Sequence, residues 1–569
     1  MLVLRARALS VATLFVAVII ARAPLAAAES PDLTAAKDRY AVIVAAELER
    51  EILPGVSIAW VVDGKLVHSA GYGFADEQGS LATTPETIYR AGSISKLFNA
   101  VAAMQLVEQG KLDLDAPIQT ALPEFQIVVP IADAPPITAR QLMCHRSGMI
   151  RESPVGGYLD NRQPTVAATV ASVASCALVN PPNTKTRYSN VGPTIVGRAV
   201  EVLSGLEFSE YQSKHLLGPL GMNSSAWRMS DALRPRLAKG RMRVANGDGT
   251  FRFESAPEFE LGTLPAGNLY TTAPDLARFA AFVMGTPGAA APDLLSSESL
   301  AKMLGVQLTG EPTGFGLGFG VNRYRGHKTA QHNGAVYGFS TSLVVLPAER
   351  IGVVVLSNAD IAGAPVKRLA EAALDLLLEA VVGEKPTEAP TVAQVMPDEL
   401  ARLAGHYESN SYWAELRVVD GELIGELSGQ PITMSPRGGG KFVADGRVMN
   451  RAPVEFDLSG DGPAAGFTAV NQKFHRVEPD QTAKSSESWR PMLGSYGLHF
   501  IPVVLSVRHG HLYAQVENEY DYRLTQVDRA TFRLPPGMYD DEQVVMQFAP
   551  DGRVLGLLMA NMYLPRRGD

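Results

Sequence analysis

Ser93 and Lys96 stand three residues apart in Ala91-Gly92-Ser93-Ile94-Ser95-Lys96-Leu97, at the head of an apolar run. Positions three apart share one face of a helix, so the lysine can reach the serine hydroxyl. A hydroxyl attacks a carbonyl only when a base takes its proton. A lysine whose pKa falls through burial or cationic neighbours is such a base. The start of a helix adds free backbone N–H groups and partial positive charge where an oxyanion forms. The pattern is short, and Ser299-Leu300-Ala301-Lys302 satisfies it as well. Two further motifs decide between them. Tyr188-Ser189-Asn190 is the one Tyr-x-Asn in the chain, and His332-Asn333-Gly334 the one His-x-Gly. A tyrosine beside a lysine can carry a proton from nucleophile to leaving group, and an asparagine amide can hold both substrate and lysine. A glycine on an edge strand lets a substrate backbone approach closely. Together the three motifs describe acyl transfer through a serine.

The elements that must position these groups follow from periodicity. Asp32 to Ile52 has a helical pattern with Asp32 at its start, and Leu97 to Gln109 is apolar at helical spacing and stops at Gly110. Val56–Val62 and Lys65–Ala70 read as strands around an Asp63-Gly64 turn. Ser340–Leu346 and Ile351–Ser357 read as adjacent strands, with His332-Asn333-Gly334 just ahead of them, and Leu369–Val381 as a closing helix. Strands at both ends with helices between predict an α+β unit over residues 29–385.

A proline-bearing polar stretch, 386–398, reads as a linker. Beyond it the chain repeats. Gly405, Tyr407, Leu416, Val418, Gly421 and Leu423 recur 89 positions on as Gly494, Tyr496, Leu505, Val507, Gly510 and Leu512. Asp461-Gly462 and Gly466 recur 90 positions on as Asp551-Gly552 and Gly556. Alternating apolar residues before Asp-Gly turns predict half-buried antiparallel strands. Residues 399–478 and 491–569 are thus two copies of one small β-barrel, joined by a linker over 479–490.

Residues 1–28 read as a signal peptide: Arg5 and Arg7, the uncharged run Ala8–Ile20, then Ala26-Ala27-Ala28. The run is 13 residues long, short for a membrane span, so a periplasmic or secreted protein without a stable span is expected. The whole chain carries 51 basic and 59 acidic residues, −8. Without the leader's three arginines the balance is 48 against 59, or −11. That excess argues against nucleic acid as a partner. Cys144 and Cys176 read as two buried thiols, with a bridge between them the alternative. Metal-ligand spacings are absent from the sequence, so neither metal nor cofactor is expected.

In the order Ser93-x-x-Lys96, Tyr188-x-Asn190, His332-x-Gly334, the sequence resembles the serine β-lactamase and penicillin-binding-protein superfamily. The likeness is to its class C branch of esterases, D-aminopeptidases and DD-carboxypeptidases. Ile137–Met149 and Pro265–Tyr270, with Asp275–Phe279, resemble further segments of that family. The resemblance implies a transpeptidase-like domain, an antiparallel sheet flanked by helices plus an all-α region, followed here by two lipocalin-like barrels. It implies Ser93 as nucleophile, Lys96 as its activating partner and Tyr188 as proton shuttle. Asn190, His332 and Gly334 would orient substrate, and the N–H groups of Ser93 and Ala335 would form the oxyanion hole. Ser299 falls out because it follows the Tyr-x-Asn, and His145 reads as structural.

The family's Lys-Thr-Gly is replaced by His332-Asn333-Gly334. An imidazole is largely neutral near pH 7, so recognition of a free carboxylate should be weaker than with a permanent cation. The expected enzyme is an exported serine hydrolase acting through an acyl-enzyme on small or linear peptides and amides, D-residue peptides and linearised cyclic peptides included. The alternatives are a carboxylesterase, a DD-carboxypeptidase or β-lactamase, and a non-catalytic penicillin-binding receptor. A catalytic domain with two barrels also resembles D-aminopeptidases, in which a barrel loop restricts the site to a free amino terminus. The acidic turn Tyr539-Asp540-Asp541-Glu542 is read as a solvated hairpin, with receipt of an ammonium the alternative.

Overall fold

The computed structural model describes residues 32–50, 52–246, 250–285, 293–386, 392–460, 462–478, 487–537, 539–540, 542–559 and 561–568. The proposed leader lies outside the described residues, as do parts of both linkers and Asp541.

Seven strands form the central antiparallel sheet: β1 (Gly55–Val62), β2 (Lys65–Gly73), β3 (Gly314–Phe315), β4 (Gly320–Tyr324), β5 (His327–Val336), β6 (Phe339–Leu346) and β7 (Ile351–Ser357), in the order β2-β1-β7-β6-β5-β4-β3. The first and last parts of the unit therefore pair directly, Val56 opposite Ser357 and Val62 opposite Ile351. Asp63 and Gly64, with φ of 50° and 74°, make the tight turn between β1 and β2.

Strands β1, β6 and β7 are buried at every residue because helices cover both faces. Alternate side chains divide between two cores. Ile58, Trp60, Val353 and Val355 pack under α1 (Thr34–Leu48) and α5 (Gly363–Leu377). Ala59, Val61, Val354 and Leu356 face the larger core with α2 (Ser95–Glu108), α3 (Val191–Ser204) and α4 (Ala273–Val283). Buried Glu47 and Arg368 pair across α1 and α5, and Arg368 continues to Asp445 at 3.3 Å, tying the first C-terminal module to this layer.

That module is a closed eight-stranded barrel running from Gly405–Glu408 to Gln472–Val477, with its own core. The second copy follows the same course and divides at Leu524 into sheets of four and five strands. Its first and last strands are joined by Gly497 N–H to Pro565 O and Arg567 N–H to Ser495 O, each 2.9 Å. Both copies keep one anchor. Tyr407 donates to Leu403 O and Arg476 to Ala404 O and Arg402 O, while Tyr496 donates to Met492 O and Arg566 to Pro491 O and Leu493 O. The second module shares the large core, where Phe500 packs on Phe259 and Tyr337 at ring distances of 5.9 and 5.5 Å.

Cys144 and Cys176 are unpaired and buried, and burial pushes each thiol up to about 11. Among the described residues, no helix is long and apolar enough to cross a membrane, and no cluster of His, Cys, Asp or Glu is arranged to hold a metal ion.

Candidate active site

Gly92, Ser93 and Ile94 form one 3-10 turn leading into α2. Gly92 has φ +55°, and a Cβ there would come within 2.7 Å of the Ala335 nitrogen. Only glycine lets the two backbones meet so closely at that φ. Across the same gap, Thr341 Oγ1 donates to Ala91 O at 2.9 Å. His332-Asn333-Gly334 lies inside β5 rather than ahead of a strand. Pairing with β4 ends at Gln331, so residues 332–336 present an open edge beside Ser93.

Lys96 is buried, and its Nζ lies 2.9 Å from Ser93 Oγ, 2.7 Å from Asn190 Oδ1 and 2.8 Å from Ala266 O. Burial holds Lys96 well below the usual lysine range; Glu152 opposes this and Arg151 adds to it. A neutral amine has two N–H groups and one lone pair. Asn190 Oδ1 and Ala266 O can only accept, so in the neutral form of Lys96 they would take the two hydrogens and turn the lone pair to Ser93 Oγ. Ser95 brings the Ala266 segment into place, donating to Gly92 O at 2.6 Å and accepting from Leu269 N–H at 3.0 Å.

Asn190 occupies the N-cap position of α3 yet makes no cap. Ser189 Oγ takes that part, accepting from Gly192 N–H at 3.0 Å, which leaves the asparagine amide for Lys96. The amide nitrogen donates to buried Glu152, which also accepts from Tyr158 N–H at 3.0 Å. Glu152 thereby settles which way the amide points. Tyr188 is hydrogen-bonded to Ser93, and burial pushes its phenol up to about 12, so it remains protonated at neutral pH. Lys96 Nζ lies 5.0 Å from its ring centroid, and the His145 ring packs against it, tilted, at a centroid distance of 4.3 Å. His145 also accepts from Ser189 N–H at 3.3 Å, which steadies the tyrosine segment.

His332 is buried, and burial with Lys96 nearby pushes it down to about 4. It is neutral at physiological pH. Its Nδ1 donates to Asn333 O at 2.6 Å, and its Nε2 has no protein partner among the described residues. Ser299 lies apart from this constellation, on a short helix whose cap is Ser296, and it hydrogen-bonds Glu108.

These groups open onto a cavity of about 640 Å³ bounded by Ser93, Tyr188, Asn190 and residues 331–335. Val448 and Asn450 of the first C-terminal module and Glu517 and Glu519 of the second complete its wall. Neither contribution was foreseen from sequence, nor were Arg151, Glu152 and Asp360. Only the adjacent opposite charges Arg151-Glu152, directly after an apolar Met149-Ile150, gave a local hint. The acidic turn is not a solvated hairpin. Tyr539 and Glu542 are buried, Glu542 accepts from Arg151 N–H at 2.9 Å, and Asp540 pairs with Lys185 at 2.9 Å.

Residues 42–378 match the family described as Beta-lactamase. The chain belongs to the beta-lactamase family. Penicillin-binding protein 4 of Amycolatopsis lactamdurans is 30% identical over 373 residues, 63% of this chain and 93% of that protein. An unguisins hydrolase of Aspergillus campestris is 27% identical over 337 residues, covering 56% of this chain and 61% of its own. In fold, the chain is similar to an octameric penicillin-binding protein homologue from Pyrococcus abyssi, at TM-score 0.55 and 24% identity, over 86% of this chain and 99% of that one. A class C β-lactamase gives TM-score 0.52 at 20% identity, over 61% of this beta-lactamase-family chain and 97% of that structure.

Proposed function

We propose that this member of the beta-lactamase family is an exported serine hydrolase that acylates Ser93 and cleaves amide bonds of small or linear peptides. The arrangement around Lys96 carries the reading: two fixed acceptors and a lowered pKa leave its lone pair on Ser93 Oγ. In the proposed reaction Ser93 Oγ attacks the substrate carbonyl and its proton passes to Lys96 Nζ. The oxyanion is received by the N–H groups of Ser93 and Ala335. Tyr188 relays the proton to the departing amine, and water then releases the acyl group with Lys96 again as base. Side chains and backbone supply every proton and charge these steps need.

Neutral His332 supports the choice of substrate. It lines the cavity without the fixed cation that would draw a carboxylate, so a carboxylate end would face an uncharged ring, whereas a peptide amide needs no such cation. The D-stereochemistry and linearised cyclic peptides named above belong to the same proposal, as does export through residues 1–28.

The test is turnover. A short-chain chromogenic ester and a D-alanyl anilide should both be hydrolysed, and a fluorophosphonate should label Ser93. Ser93→Ala should abolish hydrolysis and labelling, while Ser299→Ala leaves both intact. Stoichiometric labelling without turnover of either substrate would instead mark a penicillin-binding receptor.

A further inference from the structure

Arg151 is the guanidinium of the cavity wall next to Tyr188, 5.6 Å from its ring centroid. A cation in that place would ordinarily draw a substrate carboxylate. It is already engaged. Its Nε and Nη2 donate to the two carboxylate oxygens of Glu517 at 3.4 and 3.5 Å, and both side chains are about nine-tenths buried. Glu152 is a second, longer charge partner at 3.9 Å, with its oxygens also accepting from Asn190 and Tyr158 N–H, so Glu517 is the carboxylate that hydrogen-bonds the guanidinium. Tyr539 of the second module donates to Glu517 at 2.6 Å and covers Arg151 with its ring at 5.3 Å.

The backbone that delivers Glu517 is costly. Glu517 and Asn518 form a two-residue turn with φ of 56° at both, a left-handed region that non-glycine residues enter only at an energetic cost. In the first module the corresponding turn is Ser428-Gly429, followed by Gln430 where the second has Glu519. Both copies reach the cavity, the first through Val448 and Asn450, but the carboxylates of this turn are peculiar to the second. Buried Asn518 fixes the turn against the catalytic domain, donating to Phe500 O at 3.0 Å and accepting from Ala245 N–H at 3.4 Å. With Arg151 engaged, the other ionisable side chains of the wall facing the proposed acyl site are Glu519 and Asp360, both pushed up to about 7 by burial, and Lys367, which is paired with Glu371 at 3.6 Å.

We propose that Glu517 sets the charge preference of the cleft: by holding Arg151 it denies the guanidinium to substrate, so that the enzyme disfavours a carboxylate near the scissile bond and accepts neutral or ammonium-bearing acyl groups. This rests on the reading of Ser93 as nucleophile. Glu517 is a specificity residue that acts through Arg151, and it takes no part in the covalent steps.

Three p-nitrophenyl esters of matched acyl length test it: hemisuccinate, valerate and 4-aminobutyrate. The native enzyme should favour valerate and 4-aminobutyrate over hemisuccinate by about tenfold. In Glu517→Gln, which keeps an oxygen for Tyr539, the hemisuccinate-to-valerate ratio of kcat/KM should rise about tenfold, and high salt should erase the gain. The double variant Arg151→Gln/Glu517→Gln should lose it. A ratio within twofold of native in Glu517→Gln, with valerate still turned over, overturns the proposal; so does a gain that survives in the double variant. Tyr539→Phe serves as a second probe of the same pair, freeing Glu517 from one bond, and should move the ratio in the same direction by a smaller factor. Failure of valerate turnover and of Ser93 labelling in the native protein would overturn the catalytic reading beneath it.

Discussion

Replacing Gly334 by alanine probes the close approach on which the oxyanion site depends. An added Cβ would lie 2.0 Å from Ala91 O and 2.3 Å from Thr341 Oγ1. Carbon–oxygen contacts settle at about 3.3 Å, so β5 must retreat from the Ser93 turn by roughly 1.3 Å. Ala335 is the next residue and moves with it. A displacement near 1 Å costs about 10²-fold in rate, and loss of one oxyanion donor costs about 10²–10³-fold. Gly334→Ala should therefore lower kcat by about 10²-fold. The overpacking should also cost about 1–3 kcal/mol of stability. Stopped kinetics on the chromogenic ester and a denaturant melt measure the two effects separately. Thr341→Val, which removes the hydrogen bond to Ala91 O without adding a clash, should lower kcat by about tenfold or less. A Gly334→Ala enzyme that keeps native kcat would refute the reasoning, whether or not its stability falls.

Glu152→Gln should move the acid limb of kcat/KM to lower pH. The Glu152 carboxylate raises Lys96 in the native protein, so its removal lowers Lys96 further and the neutral amine persists to more acid conditions; a limb that stays put or moves up would contradict this. His327 is raised by its hydrogen bonds to Glu384 and Glu349. Its contribution to stability is full below the ordinary imidazole value of about 6.5 and is lost as pH rises through the raised folded value. Thermal melts across that range should fall less steeply in His327→Gln than in the native protein, and parallel curves would count against the pairing. Arg368→Ala leaves buried Glu47 only its longer contact with the exposed Arg50 at 3.8 Å, at a cost of about 3–5 kcal/mol by denaturant unfolding. A loss below about 1 kcal/mol would show that Arg368 is not holding the first barrel to α5.

The α2 start, the Asp63-Gly64 turn and the duplicated module were legible because each rests on local periodicity or on residues suited to positive φ. Strand β5 was not, because His327–Val336 is a polar edge with one open side and lacks the alternation of a half-buried strand. Ser93, Lys96, Tyr188 and Asn190, which the structure brings together, were singled out by three motifs in order and by the family resemblance, since Ser299 satisfies the first spacing as well. Their regulators were not. Glu152 is found only once α3 fixes Asn190, and Glu542 meets Arg151 from 391 residues away. Nor does spacing reveal that the second copy divides at Leu524: the repeat offset changes by one residue between Leu512 and Asp551, and that shift does not say where the strands part.

Duplication gave this chain a spare part. The first copy keeps the closed form and clasps α5 through Asp445, while the second opened and sent its Glu517 turn inward. On the reading proposed above, chemistry and selectivity reside on segments that can change independently. Substitutions confined to one short turn of the second copy can give the same acyl-transfer machinery a new diet, leaving Ser93, Lys96 and Tyr188 as they are.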